Sequence, residues 1–242
     1  MGRTRFCNYP PEAKKIPEVG GYVDPNYEAM IALKPDLVIL LQEHENVKQY
    51  LNEFKIKYLE VNNKTIADIL TTIKTIGKVC KAEPQANTLL QKLNNKINVI
   101  KKKTENLPKP KVIISIGRTL GTGTIKDVYI AGKNTFYDEL IALAGGTNAI
   151  GDSLNAYPML SAEGIIHLNP QIIIDFVTDV NGKSFNKDLI LKDWNSIKFV
   201  EAVKNKNVKI FSKDYIVIPG PRFILLLQDL AKAIHPEVNW DE

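Results

Sequence analysis

Two tyrosines at matching positions are the residues in this sequence best suited to hold a ligand. Tyr22 and Tyr157 are 135 residues apart, and each precedes a segment with a short helical pattern. In open α/β sheets, ligands bind outside the carboxyl ends of the strands, where such positions lie. Two tyrosine rings there can enclose a flat ligand and offer hydroxyl groups to its edge. The residues alone leave the alternative that both tyrosines pack in ordinary corners of the core.

The other candidate ligand-binding residues are aromatic or carry a guanidinium group. Tyr215 follows a predicted strand at residues 208–211, and Phe6 lies near the start of the chain. A guanidinium group can pair with carboxylates or phosphates of a ligand, and the candidates are Arg5, Arg118 and Arg222. Arg222 stands at a predicted helix start, where a structural hydrogen bond to a loop is the alternative role.

Metal, nucleotide and hydrolytic chemistry have little support. The three histidines form no HExxH or HxH motif, and the two cysteines form no CxxC motif, so no direct metal site is predicted. Residues 117–123 (GRTLGTG) carry the glycines of a phosphate-cradling loop without its Gly-Lys-Ser/Thr ending. We therefore predict a flexible rim loop that carries Arg118, and an α/β enzyme is the least favoured hypothesis.

The composition is that of an ordinary globular protein, with 44% hydrophobic and 24% charged residues. The longest apolar runs, 37–41 and 223–227, are far shorter than the roughly 18 residues that span a bilayer. The net charge of +5 is mild, and its lysine runs at 101–103 and 109–111 are typical of a solvated face rather than a nucleic-acid surface. Cys7 and Cys80 can form one disulfide or remain buried free thiols.

Strand-like and helix-like segments alternate along the chain. A helix is predicted over 65–79, where apolar residues recur at helical spacing. Alternation of this kind favours parallel sheets built from βαβ units. The predicted strands cover residues 37–41, 57–61, 111–116, 171–177 and 208–211.

One predicted helix, over 83–107, is longer than the others. Pro84 suits its first turn, and an apolar stripe runs along an otherwise polar, lysine-rich segment that stops before Pro108. A helix of about 20 residues is about 30 Å long. We predict a rigid connection between an N-terminal lobe (1–82) and a C-terminal lobe (108–242), with an ordinary amphipathic helix as the alternative.

An internal repeat relates the two predicted lobes. Residues 22–40 and 157–174 each read as a tyrosine, a short helix, a Leu-x-Pro corner and a buried strand. The proline ends the helix at the same point in both copies. The second copy is preceded by a strand at 111 that has no counterpart in the first, so we expect the first lobe to lack its opening strand and helix.

Several motifs in this order resemble the helical-backbone (class III) substrate-binding proteins of ABC importers, the receptors for cobalamin, haem and ferric siderophores. Any one of the motifs is weak, whereas the ordered set is specific and covers nearly the whole chain. The motifs are 8–13 (NYPPEA), 16–21 (IPEVGG), 32–39 (ALKPDLVI), 131–136 (AGKNTF), 144–148 (AGGTN) and 219–222 (PGPR).

The resemblance implies two Rossmann-like α/β lobes with parallel sheets, joined by one long rigid helix. It implies a corrinoid or ferric-siderophore chelate held between the lobes, with no intrinsic cofactor and no enzymatic activity. In cobalamin-binding relatives, aromatic residues at the positions of Tyr22, Tyr157 and Tyr215 face the corrin. The family also docks onto permease arginines through one acidic residue on each lobe, for which Glu45 and, by a loose match, Asp179 are the candidates.

Family members usually begin with a leader and then a strand and helix, and we expect this chain to start after them. The full-length form is therefore expected in the periplasm or at the cell surface. An unpaired edge in the first-lobe sheet would be a template for a homodimer. The alternative to a chelate receptor is a truncated, non-binding or oligomeric interaction protein of the same fold.

Overall fold

Helices and strands alternate along most of the chain, as the sequence predicts. The computed structural model describes residues 1–152, 155–178 and 186–240. The strands are β1 (Val38–Leu41), β2 (Tyr58–Val61), β3 (Lys111–Arg118), β4 (Val128–Ile130), β5 (Thr147–Asn148), β6 (Met159–Leu160), β7 (Ile172–Phe176) and β8 (Val208–Phe211).

The α-helices are α1 (Tyr27–Ala32), α2 (Glu45–Glu53), α3 (Ile66–Val79), α4 (Glu83–Thr104), α5 (Phe136–Leu143), α6 (Ala162–Leu168), α7 (Lys187–Trp194), α8 (Glu201–Lys204) and α9 (Phe223–Ile234). Short 3-10 helices span Pro11–Lys15, Asn195–Ile197 and Asp214–Val217. Within the described ranges, no helix combines the length and apolar character needed to cross a bilayer.

The chain divides into a first unit, Met1–Asn62, and a second unit, Asn63–Glu242. This division falls 20 residues before the boundary at 82 that the sequence predicts. The reason is the packing of α3, which lies against α4 within the second unit. Gly77 makes this possible, because a Cβ atom there would lie only 2.4 Å from the Cβ of Ala86.

In the first unit, β1 and β2 form a two-stranded parallel sheet connected through α2. Met30 of α1, Leu40 of β1 and two residues of α2, Val47 and Leu51, form its buried core. The parallel βαβ arrangement predicted for this part of the chain is therefore present.

In the second unit, one sheet has the strand order β6-β4-β3-β7-β8, with β5 also paired to β3. β3, β5, β7 and β8 are parallel, whereas β4 and β6 are antiparallel to their neighbours. The prediction of parallel sheets holds for the centre of this sheet and not for its β4–β6 side. A parallel return from β3 would need a crossover of a dozen or more residues, and the nine residues between β3 and β4 form a hairpin instead.

Strand β7 is buried along its whole length and supplies both layers of the core. Ile172, Ile174 and Phe176 belong to a cluster with α4, α5 and α9. Ile173 lies in a second cluster with Trp194. Successive side chains of a strand point to opposite faces, so both faces of this sheet are covered.

Helix α4 is the long helix predicted from the sequence. It has 22 residues, with a proline in its first turn, and a helix of that size is about 33 Å long. Its predicted apolar stripe is buried at Leu93 and Ile100. In the second unit the stripe packs against α3, α5 and α9.

The internal repeat extends to the backbone conformation. Asn26 and Ser161 cap α1 and α6, and each side chain accepts a hydrogen bond from the backbone N–H three residues on. The two helices are followed by left-handed residues, Lys34 at φ 46° and Asn169 at φ 43°. All these pairs share the 135-residue offset, so both tyrosines precede their helices in the same way.

Both cysteines are free and exposed. Neither of the alternatives left open for Cys7 and Cys80, one disulfide or two buried free thiols, is therefore present. Cys7 precedes a short 3-10 helix and Cys80 lies at the end of α3, where neither side chain meets a core cluster.

We expect Gly77→Ala to lower the free energy of unfolding by about 1–3 kcal/mol, because the added methyl group overpacks the contact between α3 and α4. Helix propensity alone predicts that the same change raises the free energy of unfolding by up to about 1 kcal/mol. Gly164→Ala in α6 is the matched control, since its Cβ would meet its nearest neighbour at 3.6 Å. Urea unfolding of both variants tests this, and stabilisation by Gly77→Ala would contradict the close packing.

Candidate functional site

An aromatic cluster lies at the carboxyl ends of β7 and β8 in the second unit. Phe176 ends β7 and Phe211 ends β8, and their rings stack with centroids 6.2 Å apart. Tyr137, in the first turn of α5, contacts Phe176 at 5.5 Å. Tyr157 meets Tyr137 edge to face at 6.5 Å and remains 44% exposed. Tyr157 therefore presents a tyrosine ring supported from below by buried aromatic residues.

Tyr137 is held in place by a hydrogen bond. Its hydroxyl group donates to the carbonyl oxygen of Ile216 at 3.0 Å. Burial, and then the neighbouring Tyr157, raise the pKa of Tyr137, and burial raises the pKa of Tyr157. Both phenols are therefore neutral at physiological pH and can donate hydrogen bonds.

In the first unit, Tyr22 lies near the carboxyl end of β1. Its hydroxyl group donates to Oε1 of Glu43 at 3.1 Å, and its ring meets His44 edge to face at 4.6 Å. Glu43 and His44 follow the last residue of β1 closely. Burial, followed by the hydrogen bond to Glu43, raises the pKa of Tyr22. Tyr22 is 49% exposed.

Arg5 and Phe6 lie beside the loop that carries Tyr22. The backbone N–H of Arg5 donates to the carbonyl oxygen of Gly20 at 2.9 Å, and its guanidinium group pairs with Asp24 at 2.6 Å. Gly20 has a φ of +94°, a conformation that glycine adopts readily. The loop is thus tied to the N-terminal segment, while Phe6 remains exposed.

Tyr215 and Arg222 bind carboxylates of their own unit. Tyr215 donates to Oδ2 of Asp229 at 2.5 Å, and burial and this bond raise its pKa. Arg222 holds both oxygens of Asp214 at 3.0 and 2.9 Å and lies over the ring of Tyr215 at 5.9 Å. Its hydrogen bond lowers the pKa of Asp214. This is the structural role for Arg222 that the sequence left as an alternative.

Arg118 does not lie in a rim loop as predicted. It is the last residue of β3, and its side chain is only 2% exposed. The guanidinium group pairs with Asp175 at 2.9 Å and with Asp193 at 2.7 Å, and it lies over the ring of Trp194. Two buried carboxylates require a cation nearby. Arg118 is that cation, so its role here is structural.

The glycine-rich segment after β3 is an anion cradle filled by the chain itself. The backbone N–H groups of Gly121 and Gly123 donate to the carboxylate of Asp193 at 2.8 and 2.6 Å. Both glycines have positive φ, at 73° and 76°, and turns of this kind direct nearby N–H groups toward one anion. The likeness to a phosphate-binding loop has this physical origin, and the anion bound by these N–H groups is the carboxylate of Asp193.

Glu45, the first residue of α2, is exposed and pairs with Lys48 at 2.5 Å. Asp179, the second docking candidate, lies outside the described residues. Within the part of the chain that the structure describes, no group of three or more His, Cys, Asp or Glu side chains is placed to hold a metal ion.

Sequence reasoning missed Tyr137, Phe176, Phe211, Glu43 and His44. The signal for four of them was their position. Phe211 ends a predicted strand and Phe176 lies one residue before the end of another, while Glu43 and His44 follow a predicted strand closely. Tyr137 directly follows the motif that ends at 136. Its role depends on contacts with residues far away in the sequence.

The two α/β units and the aromatic residues at strand ends are those of a binding protein. The chain matches the family model described as "Periplasmic binding protein" over residues 1–215, and it belongs to that family. This confirms the resemblance found in the sequence motifs.

Relatives extend the comparison over almost the whole chain. The chain is 30% identical to the uncharacterized ABC transporter substrate-binding lipoprotein YvrC of Bacillus subtilis (strain 168), over 98% of this chain and 73% of that protein. It is 25% identical to the vitamin B12-binding protein of Salmonella typhimurium, over 97% and 82%. The periplasmic heme-binding protein BhuT, solved with two hemes, superposes with a TM-score of 0.80 at 19% identity, over 97% and 89%, and shows the shared fold.

We expect Asp193→Asn to lower the free energy of unfolding by about 3 kcal/mol near neutral pH, because it removes one partner from a buried ion cluster. Burial opposes ionisation of Asp193, but the bonds from Arg118, Gly121 and Gly123 outweigh it and lower the pKa. A lowered pKa in the folded state stabilises the fold above the ordinary carboxylate range, and this stabilisation is lost as the pH falls through the folded-state value.

Urea unfolding at neutral and acid pH measures the effect, with Asp188→Asn, an exposed change on the same helix, as the control. The difference in free energy of unfolding between the wild type and Asp193→Asn should shrink at acid pH, because the wild-type carboxylate is then protonated and carries no charge either. A deficit independent of pH would contradict the assigned charge.

Proposed function

We propose that this protein is the extracytoplasmic substrate-binding component of an ABC importer and that it captures a metal chelate, a corrinoid or a ferric siderophore. In this proposal the chelate is cargo, the protein holds no intrinsic cofactor, and it catalyses no reaction. The observation that carries the proposal is the supported tyrosine at the carboxyl ends of β7 and β8, in a chain that belongs to a family of binding proteins.

The aromatic cluster suits a large, flat, partly apolar ligand. An exposed tyrosine ring that rests on buried rings loses little conformational entropy on binding, so contact with a macrocycle or a catecholate is favourable. Tyr157 supplies this surface in the second unit, and the buried ring of Tyr137 supports it. The neutral hydroxyl group of Tyr157 adds a hydrogen-bond donor at the edge of this surface, whereas the Tyr137 hydroxyl already donates to Ile216.

In the first unit we assign ligand contact to Tyr22, Phe6 and Arg5. Tyr22 and Phe6 offer exposed rings, and the Arg5 side chain is partly exposed beside Asp24. A guanidinium group at that place can pair with a carboxylate of the chelate. Tyr215 and Arg222 remain predicted contacts. Each would have to contact the ligand in addition to the carboxylate that it binds now. Arg118 is left out, because its charge is neutralised inside the fold.

A corrinoid is the first choice of ligand, because the Salmonella relative is a vitamin B12-binding protein. Haem, the ligand of BhuT, and ferric siderophores are the other chelates to test. For delivery, we propose that Glu45 docks on an arginine of the permease, because its carboxylate is exposed at the start of α2. Asp179 stays a prediction for the second docking residue. A protein with these roles acts outside the cytoplasmic membrane.

The homodimer also stays a prediction. Among the described residues β1 pairs only with β2, so each strand offers one edge for pairing. A dimer that forms through this edge and binds no chelate is the second candidate function. Light scattering on the ligand-free protein distinguishes them, since a dimer that persists on dilution, together with no chelate binding, would favour this second candidate.

Calorimetric titration with cyanocobalamin, haemin and ferric siderophores tests the proposed function. We expect saturable binding of one of them with a Kd of about 1 μM or tighter. Tyr157→Ala should weaken it at least about tenfold, equivalent to about 1.4 kcal/mol. Phe199→Ala, which removes an exposed ring outside the cluster, should leave it unchanged. If none of these chelates binds the wild-type protein, the proposed function is wrong.

For the docking residue, we expect Glu45→Gln to reduce chelate uptake through the cognate permease while leaving the chelate Kd unchanged. The loss of a charged hydrogen-bond partner at an interface costs about 2 kcal/mol or more. Glu53→Gln, at the other end of α2, is the control and should transport normally. Equal uptake by both variants would remove Glu45 from the docking surface.

A further inference from the structure

A pocket of about 340 Å³ lies in the second unit between α4 and α9, and of its described lining residues only Tyr215 is also a predicted contact of the chelate site. Residues of α4 form one wall, residues of α9 form the facing wall, and Tyr215 and Trp240 complete it. The volume is at the lower end of the range for small-molecule sites. A ligand about the size of one aromatic ring with a polar group therefore fits.

The described residues that line the pocket carry an excess of positive charge. Lys96, Lys103 and Lys232 line it, and Asp229 is its single carboxylate among the described lining residues. Asp229 already accepts a hydrogen bond from Tyr215. Several cations around one concave surface attract an anion, and the low-dielectric wall behind them strengthens that attraction. The sequence suggests that the lysine run at 101–103 is solvated. The structure places one of these lysines, Lys103, at the wall of the pocket.

The remaining wall is apolar. Val99 is 50% exposed although it lies on the long helix beside the pocket, and Leu225 faces it from α9. Trp240 is held by a hydrogen bond from its indole N–H to the carbonyl oxygen of His235 at 2.9 Å. Lys103 lies 5.9 Å above the indole ring and donates to the carbonyl oxygen of Asn239 at 2.8 Å. The indole is therefore fixed as part of the wall.

We propose that this pocket is a second binding site, for a small aromatic carboxylate. The ring of such a ligand packs between Trp240 and Val99, and its carboxylate is attracted to Lys96 and Lys232. The described lining includes lysines but no arginine, so it offers point charges and not the planar fork that favours a phosphate ester. The apolar wall favours an anion with a hydrophobic ring over a bare inorganic anion.

The probe for the test is 4-fluorobenzoate, followed by fluorine NMR and by quenching of tryptophan fluorescence. We expect a Kd of about 0.1–1 mM and weaker binding as salt is raised. The neutral amide, 4-fluorobenzamide, should bind at least about fivefold more weakly. Trp240→Phe should abolish the fluorescence change, because the only other tryptophan, Trp194, is fully buried in the core.

The charge requirement is tested by the double variant Lys96→Gln/Lys232→Gln, which should weaken binding about tenfold or more. The matched control is Lys74→Gln/Lys101→Gln, which removes two exposed lysines from α3 and α4 and should change nothing. Equal binding of the amide, or unchanged binding by the first double variant, would overturn the proposal.

Tyr157→Ala separates this site from the chelate site. It should bind 4-fluorobenzoate normally, and the Lys96→Gln/Lys232→Gln variant should bind the chelate normally. Loss of 4-fluorobenzoate binding in Tyr157→Ala would place the probe in the chelate site and overturn the second site alone. Failure of the chelate titration with retained probe binding would instead overturn the proposed function alone.

Discussion

The second unit depends on the neutralisation of two carboxylates inside its fold. Asp175 on β7 and Asp193 on α7 are fully buried, and a buried charge without a partner is costly. Arg118 binds both, the indole of Trp194 donates to Asp175 at 2.8 Å, and the loop at Gly121 donates to Asp193. These bonds join the strands β3 and β7, the helix α7 and the loop after β3, so they fix how α7 lies on the sheet.

The same strand that carries a buried charge also carries the aromatic site. Asp175 and Phe176 are neighbours in β7, and their side chains therefore point to opposite faces of the sheet. Asp175 meets the ion cluster on the α7 face, while Phe176 supports Tyr137 and, through it, Tyr157 on the α5 face. The aromatic surface is thus apart from the internal ions, and its phenols stay neutral. A flat chelate would meet a rigid apolar support with a few polar groups at its edge, which is the usual composition of a small-molecule site.

The short 3-10 helix Asp214–Val217 links two neighbourhoods of the second unit. The carbonyl oxygen of Ile216 accepts from Tyr137 below the aromatic surface. The adjacent Tyr215 instead bonds to Asp229 and lines the pocket beside α9. The backbone carbonyl of Ile216 thus supports the aromatic cluster, while the side chain of Tyr215 lines the pocket. The two groups point in different directions although their residues are adjacent. The PGPR motif acts here through Arg222, which clamps Asp214 at the start of this segment.

Local patterns in the sequence predicted the parallel strands β1, β2, β3, β7 and β8, the helices α3 and α4 and the internal repeat, but not the short strands β4, β5 and β6. Apolar spacing predicted α4 to within a few residues, and the Leu-x-Pro corners predicted that Tyr22 and Tyr157 precede their helices alike, because helix spacing and proline geometry act over a few residues. Tertiary structure decided what the long-range partners would be. Arg118 meets Asp193 across 75 residues of sequence, which turns an expected rim residue into a buried one. The support of Tyr157 by Tyr137 and the pocket between α4 and α9 likewise arise only when distant segments pack, and no local pattern records which of them will meet.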